Sequence, residues 1–143
     1  MAITATLNTS YGESRQLYVR LNNCEASNHG VPATALFRGY ISVEACSAGK
    51  RYVWEREISF TPDVSGSLWD QAYAALKAIP VQELPAEPQA PTPLADDASD
   101  DDKTSHATAQ AQYDALHADW EGRAAEIEAE NAEVMALASS HDA

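Results

Sequence analysis

The sequence predicts an α+β fold: a small four-stranded antiparallel sheet covered by one helix, with a separate long C-terminal helix. Three observations predict it. Period-two alternation recurs through the first sixty residues, and one stretch of helical periodicity follows. The last third of the chain is rich in alanine and carboxylates and holds few bulky side chains.

Each element has its own signal. Ile3-Thr4-Ala5-Thr6-Leu7 alternates as a half-buried strand does, and residues 8–13, with Gly12, form a polar turn. Residues 15–21 alternate again, with Leu17, Val19 and Leu21 on one face and Tyr18 and Arg20 on the other. A polar loop over residues 22–32 leads to a third strand expected over 36–45, with Phe37, Ile41 and Val43 together. Gly39 lies inside that strand, which suits a bulge or a large aromatic lying across it. The fourth strand, residues 52–60, puts Tyr52, Trp54, Ile58 and Phe60 on one face, interrupted by Arg56. The short connection over residues 47–50 favours antiparallel pairing with the third. Ser67 followed by Asp70 starts a helix, because the hydroxyl accepts an orphan amide and the acid suits the positive end of the dipole. Leu68, Ala72, Ala75, Leu76 and Ile79 make its apolar stripe, and Pro80 closes it.

Charge divides the chain at the same place. Residues 1–80 hold seven basic and seven acidic side chains, whereas residues 81–143 hold only Lys103 and Arg123 against fifteen Asp and Glu. The expected organisation is therefore a sheet-and-helix domain over 1–80, a Pro-rich acidic linker over 81–104 and an alanine-rich amphipathic helix over 105–139. Prolines 80, 85, 88, 91 and 93 make the linker extended and semi-rigid. Five acids among residues 96–102 repel one another and stay solvated, without the Gly and Glu spacing of a helix-flanked calcium loop. In the last helix Tyr113, Leu116, Trp120, Ile127 and Val134 recur at heptad-like spacing. These five are the expected partner-binding residues, docking on a second copy as a coiled coil or in a partner's groove. Trp120 weighs most, because a large indole gains little from staying in water.

Candidate chemistry is sparse. Cys24 and Cys46 follow opposite ends of neighbouring strands, about 30 Å apart, so two free thiols are expected. Cys24, Glu25 and His29 share one loop, but nothing in their spacing demands a nucleophilic site. His106, His117 and His141 are too scattered for zinc. The sequence thus predicts a non-enzymatic chain with no catalytic residues, cofactor or metal. No apolar run is long enough to cross a bilayer, and residues 1–6 lack the pattern of a signal peptide. The acidic half repels phosphate, so a protein partner is expected rather than nucleic acid or membrane.

Three stretches carry a resemblance. They are Tyr18-Val19-Arg20-Leu21-Asn22-Asn23-Cys24-Glu25-Ala26-Ser27-Asn28-His29-Gly30-Val31-Pro32, Tyr52-Val53-Trp54-Glu55-Arg56, and Asp63-Val64-Ser65-Gly66-Ser67-Leu68-Trp69-Asp70-Gln71-Ala72-Tyr73-Ala74-Ala75-Leu76-Lys77. Residues 18–78 resemble a group of small uncharacterised proteins of tailed bacteriophages and prophages. The resemblance implies a setting in the virion or the host cytoplasm and supplies no catalytic residues. Two functions fit. One is a structural or accessory phage protein, such as a minor virion component, acting through protein–protein contacts with virion subunits. The other is an acidic inhibitor or modulator that binds a basic surface of a host protein.

Overall fold

Strand formation follows the alternation of the sequence, and the computed structural model, which describes residues 1–26 and 31–143, places four alternating segments, the third of them shortened at its end, in one sheet. The elements are β1 (Ile3–Asn8), β2 (Ser14–Glu25), β3 (Ala33–Tyr40), α1 (Val43–Ser47), β4 (Trp54–Phe60), α2 (Leu68–Lys77), α3 (Asp100–Ala138) and β5 (His141–Asp142). They divide into two compact units, Met1–Val81 with Ala132–Ala143, and Gln82–Asn131.

In the first unit the strands run antiparallel in the order β4-β3-β2-β1-β5. One sheet face is apolar: Ile3, Ala5 and Leu7 from β1, Leu17, Val19 and Leu21 from β2, Ala35 and Phe37 from β3, Trp54 and Ile58 from β4. Ala72, Tyr73 and Leu76 of α2 and Leu137 at the end of α3 complete this core. Gly39 of β3 stands opposite Trp54 of β4. A Cβ there would lie 3.1 Å from both the Leu17 Cδ1 and the Trp54 Cβ, so the missing side chain lets the indole lie across the strand. The β1–β2 turn depends on Gly12 at φ +80° and on Thr9, whose Oγ1 accepts from the Tyr11 and Glu13 amides at 3.3 and 3.4 Å.

Tyr73 does more than fill space. The register Ile3↔Val19 would set Met1 opposite Leu21. There the Tyr73 hydroxyl accepts from the Leu21 amide at 2.8 Å and donates to the Met1 carbonyl at 2.9 Å, standing in for one ladder bond. Its ring meets Phe37 edge-on, with centroids 5.1 Å apart.

The four-stranded sheet with a single covering helix is thus corrected: the described residues form five strands and three helices. Two short elements account for the difference. Residues 41–45 were expected to prolong the third strand. Instead Ser42 caps α1, its Oγ accepting from the Ala45 amide at 3.1 Å with Glu44 in the first turn. Five residues are too few to display a 3.6-residue period, and Ile41 and Val43 mimic strand alternation. β5 is two residues long and shows no period at all. It pairs with Ile3 and Thr4, and the Ala143 amide donates to the Ala2 carbonyl at 3.0 Å. Tyr52 also departs from expectation: it precedes β4 and lies under the Arg38 guanidinium, 4.4 Å from ring centroid to Cζ. Arg56 stays on the covered face, where it meets the Glu133 carboxylate at 2.5 Å.

The second unit is a hairpin of an extended strap and a helix. Residues 82–99 have no regular structure, as their prolines dictate, and α3 starts at Asp100 within the acidic run. Ser99 and Asp102 form a reciprocal cap: the Asp102 amide donates to Ser99 Oγ at 3.2 Å and the Ser99 amide to Asp102 Oδ2 at 3.3 Å. Asp100, Asp101 and Asp102 therefore occupy the first turn, where the helix dipole favours negative charge. The strap runs antiparallel to the helix and is tied to it at intervals. The Gln82 amide donates to Asn131 Oδ1 and Asn131 Nδ2 to the Gln82 carbonyl, both at 2.8 Å. Trp120 Nε1 donates to the Pro85 carbonyl at 2.8 Å.

Candidate functional site

Each unit presents one surface of chemical interest. In the sheet it is the face opposite the core. Tyr18 stands between Thr4 and Tyr40, and Arg20 stands beside Arg38, which is opposite Glu55. Arg38 Nε donates to Glu55 Oε2 at 2.7 Å and Nη1 to Asn22 Oδ1 at 3.1 Å, while its plane covers Tyr52. The bond to Glu55 raises the Arg38 guanidinium further above its ordinary range. Arg20 Nη1 lies 3.8 Å from Cys46 Sγ, on α1, and that thiol contact raises Arg20 likewise. The pairing of Tyr52 with Arg38 was not legible in the sequence, because it depends on how β3 and the approach to β4 align.

The thiols are free and half-buried. Cys24 pairs with Ala35 in the ladder and packs against the core, and burial pushes its thiol pKa up, away from the thiolate a nucleophile needs. His29, the third member of the loop group weighed for nucleophilic chemistry, lies outside the described residues. Among the described residues no group of three His, Cys, Asp or Glu side chains is placed to hold a metal ion. No helix among them is long and apolar enough to cross a membrane.

The second surface is the hairpin. Tyr113, His117 and Trp120 follow one another along the helix, with ring centroids 5.4 and 5.5 Å apart. His117 Nε2 is 3.2 Å from the Glu87 carboxylate on the strap, and Nδ1 is 3.6 Å from Glu121. Of the five expected partner-binding residues, Tyr113 and Trp120 therefore meet through His117, which the sequence reading weighed only as a zinc ligand. Leu116 is 59% exposed, Ile127 is half-buried, and Val134 is buried in the first unit. The available signal was the spacing of His117, four residues after Tyr113 and three before Trp120.

Charge separates with the units. Residues 82–131 carry thirteen carboxylates against Lys103 and Arg123, and the remainder carries nine against seven basic side chains. Comparison of the chain with protein-family models, with curated proteins and with solved structures finds no match.

Proposed function

We propose that the chain is a non-enzymatic accessory protein of a tailed phage, acting through protein–protein contacts in the virion or the host cytoplasm. The observation that carries this reading is the coincidence of charge with architecture: a near-neutral sheet unit and an acidic hairpin are separately built on one chain. Two surfaces of unlike character suit a protein that works by contact. The phage setting rests on the resemblance over residues 18–78.

A second reading is favoured by one detail. Trp120 and Tyr113 are engaged within the hairpin, so carboxylates dominate what it offers outward. That surface fits an acidic modulator of a basic host protein.

Mass spectrometry of purified particles, with a tagged-chain pull-down from infected cells, tests both. A fixed copy number in particles supports a virion component. A single basic host protein, released by salt and by replacing Asp96, Asp97, Asp100 and Asp101 with Asn, supports the modulator. Finding neither sinks both.

A further inference from the structure

We propose that the outer edge of β4 receives an extended segment of a partner protein, in which basic residues alternate with small apolar ones. The inference deepens the contact-protein reading and rests on it.

β4 ends the sheet, and among the described residues it pairs with β3 alone. Its other edge is a row of backbone groups of the kind that strand addition uses. The register sorts its side chains cleanly. Arg56 stands opposite Phe37 and Ile58 opposite Ala35, so both lie on the covered face. Glu55 and Glu57, opposite Arg38 and Leu36, lie exposed on the other. A hollow of about 480 Å³ adjoins this edge, with an apolar wall of Ile58, Ala75, Ala78, Ile79 and Pro80 and a polar lining that includes Arg56 and Glu57. An added strand would point alternate residues to opposite faces. Those beside Glu55 and Glu57 meet two carboxylates spaced two residues apart, Glu55 already sharing its charge with Arg38 and Glu57 exposed, and lysine or arginine complements Glu57 above all. Those between them drop toward the hollow, where the aliphatic wall of Ile58, Ala75, Ile79 and Pro80 accepts an apolar side chain such as valine.

The same charges turn away a second copy. Antiparallel self-pairing over all seven residues of β4 sets Glu57 against itself. Shifting the centre to Arg56 sets Glu55 against Glu57 twice and arginine against arginine. A basic, alternating segment from another protein meets neither penalty.

The probe is a short capped peptide of alternating lysine and valine, titrated into the full chain with backbone amides followed by NMR. Two further versions carry N-methyl groups, one on every valine and the other on every lysine. In a strand, alternate amides point to opposite edges, so only one methylated version should lose binding. The expected result is binding that slows exchange of β4 amides, loss with one methylated peptide only, and about tenfold weakening by Glu57→Lys. Equal binding of both methylated peptides would reduce the contact to charge attraction and overturn the proposal, as would no binding. Protection of the same amides in a dimer of the free chain would place a second copy there and overturn it too. If the peptide fails while the pull-down still yields a partner, the edge proposal falls and the contact-protein reading stands.

Discussion

The sheet unit and the hairpin are held together by different means. In the first, residues distant in sequence bury one another: Phe37 and Leu76 are wholly inaccessible, and β1 is pinned between β2 and β5. In the second, the strap meets the helix through a few hydrogen bonds around Gln82, Pro85 and Glu87, with most side chains exposed. Area removed from water makes the first cooperative. The second, with little to bury, depends on directional tethers, each of modest net value.

The largest test of that contrast is Phe37→Ala. It should cost about 3–5 kcal/mol and, in a unit this small, abolish the cooperative melting transition. Calorimetry would read it, and survival of that transition would deny the sheet its core. Next is Tyr73→Phe, which keeps the ring against Phe37 and removes the hydroxyl between Leu21 and Met1. A loss of about 1–3 kcal/mol is expected, with faster exchange of the Leu21 amide. Burial pushes the Tyr73 hydroxyl pKa up. Sign matters here: a raised folded value keeps stability whole below the unfolded pKa near 10 and loses it as pH rises through the folded one. The wild-type melting midpoint should therefore fall in strong alkali, and less so in Tyr73→Phe.

What could be read in advance follows the same contrast. Alternation in Ile3–Asn8 and Trp54–Phe60, and the Ser67 cap of Leu68–Lys77, are visible because a single segment carries the whole signal. The elements that escaped are those whose cause lies elsewhere. The fifth strand exists because β1 has an edge to cover, and two residues cannot announce it. The helix at Val43–Ser47 was masked by the alternation of its Val43 with Ile41, which precedes the cap. Leu137 and Val134 look like a continuing seam, yet Leu137 joins the sheet core because the helix end returns to the first unit. On the candidate surfaces, Trp120 drew notice by size, while its partner Pro85 was invisible: a backbone carbonyl has no sequence signature.

In the hairpin, Trp120→Ala removes the bond to Pro85 and the ring beside His117. We expect a local loss of about 1–2 kcal/mol, read as faster exchange of the amides around residues 113–124, with the sheet's melting midpoint unmoved. A matching fall in that midpoint would make the two units one cooperative body and break the comparison.

The finest test uses one chemistry in both places. Ser67 caps α2 by accepting from the Asp70 amide at 3.3 Å, and Ser99 caps α3 by accepting from the Asp102 amide at 3.2 Å. Each serine-to-alanine change removes a similar bond, worth about 1 kcal/mol. α2 contributes Ala72, Tyr73 and Leu76 to the core, so losing its cap must weaken the whole sheet unit. Ser67→Ala should lower the melting midpoint by about 4–8 °C. The first turn of α3 is exposed, and its loss can be absorbed by fraying. Ser99→Ala should leave the midpoint within error and speed exchange only near residues 102–105. Equal midpoint shifts from the two variants would mean that the α3 cap, like that of α2, acts on a cooperatively folded body.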